Sequence, residues 1–218
     1  MKNLFSLVFK LLILTVTALG IYLTLEDANH LLETLSYFTS FVNVMTGILY
    51  IFFLMQLVFK KVESNWIRFF KQTLIVFLAL TTIVYSFVLI PYIVDFQIEY
   101  VIFSLKDIII HYAVPLLVIL DYAFFDSKGN LKPSYIGGNL FTLSAYVFYL
   151  FAYISLGGRF HLNGNETIYP YFFLDVQTLG VETFSWIAFS ILGVVMILSW
   201  VVYIVDHILG VPLTDKKI

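Results

Sequence analysis

Six stretches of this chain are long and apolar enough to cross about 30 Å of hydrocarbon as helices. They cover approximately residues 4–23, 37–59, 70–92, 107–125, 136–156 and 184–209. Lipid offers backbone polar groups no partner, so a spanning segment satisfies its own hydrogen bonds, and helices are the simplest way to do it. The composition agrees: 61% of the 218 residues are hydrophobic and 12% charged, and the mean hydropathy is +0.96. The expected fold is therefore an all-α bundle of six transmembrane helices, with residues 1–218 forming one domain. No repeat, low-complexity tract or long linker divides it. Lys2 precedes the first apolar run as in a signal peptide. That run is long and no A-x-A-like cleavage site follows, so it is expected to stay as the first helix.

Orientation follows from where the cations fall. Lys2, Lys10, Lys60, Lys61, Arg68, Lys71, Lys128, Lys132, Lys216 and Lys217 belong to one side of the predicted bundle. Only Lys106 and Arg159 belong to the other, together with Glu26, Asp27, Glu33, Asp95, Glu99, Glu166, Asp175 and Glu182. Both termini are expected in the cytoplasm of a multi-pass cell-membrane protein. The net charge of −2 supplies no basic field for nucleic acid. Without cysteine, disulfides, thiolate catalysis and cysteine-ligated metals are excluded. His30, His111, His161 and His207 show no metal-ligand spacing, so neither metal nor cofactor is expected.

Polar residues inside the spans carry the functional information. An Asp at the centre of a membrane helix costs roughly 2.5–3.5 kcal/mol to insert, so such residues face the bundle interior or water. In the fourth span Asp107 and His111 lie four residues apart, about 6 Å along the axis on one face. Asp121 returns to within about 80° of that stripe, but roughly 15 Å deeper. It is too far to join them, and a lysine at the inner surface is its simplest partner. Pro115 kinks the helix, leaving a carbonyl for neighbours to satisfy. Asp206 and His207 read as interfacial.

The second span gathers Ser36, Thr39, Asn43, Thr46 and Tyr50 on one stripe, and the fifth gathers Thr142, Tyr146, Tyr149 and Tyr153. Facing stripes predict a polar, aromatic-lined cavity. Thr39 and His111 each enter about one turn below the outer surface. A hydroxyl beside an imidazole permits nucleophilic acyl transfer, with neutral histidine as the base. Asp107 is placed to fix the imidazole tautomer, and Asn43 to hold a developing oxyanion. The competing structural readings are interhelical hydrogen bonding by Thr39 and simple pairing of His111 with Asp107. Residues 157–183 form the longest connection and are expected either to fold over the bundle as a lid or to lie as a solvated loop.

Three segments, "SYFTSFVNV" (36–44), "HYAVPLLVILDY" (111–122) and "YPYFFLDVQTLG" (169–180), give the chain a resemblance to a membrane family. It is the family of the androgen-induced and androgen-dependent transmembrane proteins, and the likeness is to a bacterial six-span branch. Animal members hydrolyse fatty acid esters of hydroxy fatty acids with a membrane-embedded threonine and histidine. The resemblance implies that Thr39 and His111 are that pair, and that Tyr169, Pro170 and Asp175 match the last motif. Residues between His111 and Pro115 differ from the animal pattern. The resulting expectation is a Thr/His hydrolase of lipid-like esters facing the outer leaflet, with acyl chains entering from the membrane lipids. Tyr146, Tyr149 and Tyr169 would line the substrate, and Arg159 would meet a substrate carboxylate. A non-catalytic lipid or small-molecule binder is the first alternative. A small transporter, with Asp107 and Asp121 marking an ion path, is the second.

Overall fold

The computed structural model describes residues 2–26, 30–61, 63–98, 100–162 and 165–210; Asp27, Glu99, Lys216 and Lys217, used above for orientation, lie outside them. Among the described residues six helices are long and apolar enough to cross a membrane, and the chain is a multi-pass membrane protein. They are α1 (Lys2–Glu26), α3 (Phe38–Val58), α4 (Asn65–Asp95), α5 (Leu105–Phe125), α6 (Ser134–Ser155) and α7 (Val176–Gly210). A short helix, α2 (Leu31–Ser36), precedes α3. The helices outrun the apolar stretches because their polar ends continue the same hydrogen-bonding pattern and are capped. Ser64 accepts the Ile67 N–H at 3.4 Å, and Ser104 accepts the Asp107 N–H at 3.2 Å, as N-caps do.

Helix α4 lies at the centre. Residues 71–78 are buried without interruption, and α3, α5, α6 and α7 pack around it. Its buried run mixes apolar side chains with Gln72 and Thr73, whose polar groups need partners inside the bundle. One polar node, absent from the sequence reading, ties three helices together: Asn139 of α6 meets the Thr73 hydroxyl at 2.7 Å and that of Ser199 at 3.0 Å. Gln72 adds a bond to the Ser199 carbonyl at 3.1 Å.

Two spans contain π turns, Tyr85–Leu89 in α4 and Ile109–Ala113 in α5. Each is followed two residues later by a proline, Pro91 or Pro115. A proline ring collides with the carbonyl four residues back and removes the hydrogen bond that would end there. A widened turn relieves the collision. In α5 the carbonyl left over belongs to His111, and the Thr82 hydroxyl of α4 donates to it at 2.6 Å. Pro115 thus goes with a widened turn, and its freed carbonyl is satisfied by a neighbouring helix.

At the end of the bundle where α1 begins and α7 finishes, charges are buried in pairs. Lys10 reaches both oxygens of Asp121 at 2.7 Å, and the Tyr50 hydroxyl adds a third contact at 3.1 Å. Lys71 bridges Glu63 and Asp126 at 2.6 Å each. Asp206 is buried, where the sequence suggested an interfacial site. It accepts the N–H groups of Asn130 and Leu131 at 2.9 and 3.0 Å and the Tyr122 hydroxyl. A carboxylate so surrounded by donors tolerates burial.

The connection at the opposite end is more ordered than a solvated loop. Phe160–Leu162 pairs antiparallel with Asn165–Thr167, and the Glu33 carboxylate of α2 accepts from the His161 backbone at 2.6 Å while meeting its ring at 2.9 Å. Phe160 is fully buried against Tyr37 and Tyr153. A 3₁₀ turn, Phe172–Leu174, then crosses the bundle, its Phe172 ring stacked on Tyr92 of α4 at 3.8 Å. Helix α7 begins earlier than its apolar run, at Val176, and bends at Gly180 (φ 75°, ψ 160°), a conformation that a residue with a Cβ resists.

Candidate functional site

Thr39 owes its surroundings to a break in the chain. Tyr37 is extended (φ −72°, ψ 135°) and separates α2 from α3, so Thr39 is the second residue of its helix. Hydroxyls inside the spans commonly turn back onto the carbonyl one turn earlier, as Thr46, Thr73, Thr142 and Ser144 do. At the start of α3 that carbonyl is out of line. The Thr39 side chain instead lines a cavity of about 240 Å³ between α3, α4, α6 and α7, closed on one side by Tyr171, Phe173 and Leu174. The wall is overwhelmingly apolar and carries no charged side chain.

Tyr171 is the residue that the sequence reading quoted but did not assign. Its hydroxyl oxygen accepts the Phe38 N–H at 3.0 Å and lies within hydrogen-bonding reach of both the N–H and the hydroxyl of Thr39. Burial pushes the phenol up to about 12, while the Phe38 and Thr39 donors hold it from rising further. Its place in a Tyr-Pro-Tyr sequence was the visible signal. The contact itself depends on how the connection folds back.

His111 is buried, 6% exposed, and the π turn aims it toward α4. Its ring stacks on Tyr85 at 3.9 Å with 7° between planes and lies against the Thr81 carbonyl. Tyr85 and Thr81 line the cavity; His111 does not. Asn43 Nδ2 reaches the Thr39 carbonyl at 2.9 Å and the Ile110 carbonyl at 3.3 Å. One amide nitrogen thus reaches both carbonyls, which sets Ile110, the residue before His111, close to the level of Thr39. Thr39 and Tyr85 line the cavity, and His111 stacks on Tyr85 outside that lining.

Asp107 is fully buried and accepts the Tyr100 hydroxyl at 2.6 Å. Its second oxygen, Oδ2, and Nδ1 of His111 have no hydrogen-bond partner among the described residues. The Tyr85 hydroxyl, which accepts the Phe103 N–H at 3.5 Å, lies beside the same carboxylate. Asp107, His111 and Tyr85 thus form one buried polar group behind the cavity wall. Unsatisfied buried polar atoms are uncommon and cluster where a structure has a task beyond folding.

The other expected site residues divide clearly. Tyr146 lines the cavity, with its hydroxyl donated to the Ser36 carbonyl at 2.8 Å. Tyr149 is 39% exposed and meets the Ser36 hydroxyl at 3.0 Å, so the tyrosine stripe of α6 turns inward only in part. Tyr169 packs on Phe151 outside the cavity lining. Both N–H bonds of the Asn43 amide point at backbone carbonyls. Asp175 caps α7, taking the Gln177 and Thr178 N–H groups at 3.1 Å each; the Thr178 hydroxyl holds its carboxyl below the usual carboxylate range. Arg159 pairs with Glu166 at 3.4 Å, away from the cavity. Among the described residues no group of three His, Asp or Glu is arranged to hold a metal ion. The chain matches no family model, no curated protein and no solved structure.

Proposed function

We propose that this protein is a membrane-embedded hydrolase of lipid-like carboxylic esters, with Thr39 as nucleophile and His111 as general base. The observation that carries the reading is the Thr39 hydroxyl itself. Thr39 lines an apolar cavity of acyl-chain character, its hydroxyl lies within hydrogen-bonding reach of Tyr171, and it stands at the positive end of the α3 dipole. The adjacent Phe38 and Thr39 N–H groups both point at one oxygen, that of Tyr171. Two such donors beside a nucleophile are what a developing oxyanion needs.

In the proposed sequence His111 takes the Thr39 proton, and Oγ bonds to the ester carbonyl carbon. The carbonyl oxygen receives the displaced electron pair and returns it as the C–O bond to the leaving alcohol breaks, His111 supplying the proton. Water then repeats the steps on the acyl-threonine and releases the acid. For the imidazole to reach the cavity, the Tyr85 ring moves off its face. The resemblance of residues 36–44, 111–122 and 169–180 to the androgen-induced family supports the same pair. The cation bias supports an outer-leaflet site with cytoplasmic termini.

A second reading, a non-catalytic lipid-binding protein, is favoured by His111 being stacked on Tyr85 and lying outside the cavity lining that holds Thr39. A fluorophosphonate probe separates the two. Labelling of the purified protein that disappears in Thr39→Ala and His111→Ala but persists in Ser36→Ala is the expected result. An unlabelled protein that turns over no ester would leave the binder.

A further inference from the structure

We propose that the cavity accepts only a neutral acyl chain: the ester end of a substrate enters, and an ionised carboxylate is excluded. The inference deepens the hydrolase reading, on which it rests for the nature of the group presented to Thr39. It starts from the absence of any Asp, Glu, Lys, Arg or His among the lining side chains. An anion in an apolar enclosure is strongly disfavoured unless a cation or several donors meet it.

The hydroxyls able to serve as donors are mostly engaged. Tyr146 donates to the Ser36 carbonyl, Ser144 to Leu140 and Thr81 to Leu78. The nearest titratable groups make matters worse for an anion. Asp107 lies beside the Tyr85 hydroxyl, and His111, with Lys106 near it, is stacked on the Tyr85 ring and does not line the cavity. At the loop end Glu33 holds His161, and Arg159, the cation suited to a carboxylate, is paired with Glu166 outside the cavity.

This arrangement gives hydrolysis a direction. Water adds across the ester bond to yield an alcohol and an acid, and the acid loses its proton to solvent. The anion then meets no charged partner among the described lining residues, and the Phe38 and Thr39 N–H groups return to the Tyr171 oxygen, so it leaves for the membrane surface, where its carboxylate is hydrated. A substrate that bears a free carboxylate of its own places that end outside, so the chain in the cavity is the acyl arm.

The test uses full-length Thr39→Ala protein in detergent micelles, so that binding is read without turnover. Two photoreactive probes are compared, a diazirine-bearing palmitic acid and its methyl ester, with cross-linked peptides mapped by mass. The ester should label cavity residues of α6 and α7 equally at about pH 5 and about pH 9, either side of the ionisation of a micelle-bound carboxyl. The acid should match it at the lower pH and fall about tenfold at the higher. Ala188→Lys, which adds a cation to the wall, should restore labelling by the acid at high pH. Undiminished labelling by the acid at high pH in the Thr39→Ala protein would overturn the proposal. So would cavity labelling by neither probe, or a lysine variant that still binds ester but does not recover the acid. A protein that passes these tests while its Thr39 form resists fluorophosphonate would have lost the hydrolase reading alone.

Discussion

Thr39 is distinguished from the other hydroxyls of the bundle by where its helix begins. A threonine two turns further along would return its proton to the backbone, as Thr46 does, and would be a packing residue. Its partner among the described residues is Tyr171, whose oxygen takes the N–H donors that an ester carbonyl oxygen would need. Tyr171→Phe removes that occupant and one net hydrogen bond, worth about 1 kcal/mol. Faster fluorophosphonate labelling with a slightly lower melting temperature is expected. Slower labelling would instead make the phenol a helper of the reaction. Asp121 has a different explanation from Asp107 despite sharing a helix. Lys10 neutralises it and Tyr50 completes its coordination, whereas Asp107 keeps an unpartnered oxygen.

At the scale of elements, the two π turns are the features that shape the site. Each widens a helix just before a proline, and together they bring Tyr85 and His111 into a parallel stack. The turn in α5 is held by one borrowed donor, the Thr82 hydroxyl. Thr82→Val keeps the shape of the side chain but strands the His111 carbonyl in the core. That should destabilise the fold by about 1–3 kcal/mol, measured as a loss of thermal stability in detergent. A change confined to labelling rate, with stability intact, would mean that the carbonyl finds another donor. Helix α1 supports the same turn from behind. At Gly20 an added Cβ would come within 2.8 Å of Ile109 and 2.9 Å of Ile110 side-chain carbons, so close approach of the two helices requires glycine there.

For the whole molecule, the two ends of the bundle differ in kind. The end where α1 begins and α7 finishes is tied by buried ion pairs and by Asp206, while the other is roofed by aromatic rings and a hairpin. The cation distribution predicts that the tied end faces the cytoplasm, so an alkaline phosphatase fused to the C-terminus should be inactive. An active fusion would invert the topology and move the proposed site to the inner leaflet. The six spans and the inward stripes of α3 and α5 were legible from residue type and period alone, because exposing Asn43, Asp107 or Asp121 to lipid is prohibitive whatever their partners. Partners were not legible. Lys10 and Asp121 are 111 positions apart, and no periodicity links them. Depth arguments placed Thr39 and His111 at one level. They could not foresee that the imidazole would stack on Tyr85 of α4 and lie outside the cavity lining. Hydrophobicity is a property each residue carries with it, so the sequence by itself determined how many helices cross the membrane and which faces turn inward. Hydrogen bonding and stacking need atoms placed to within an ångström, so only the tertiary structure decided that Thr39 opens onto an uncharged cavity, capped by Tyr171 and screened from His111.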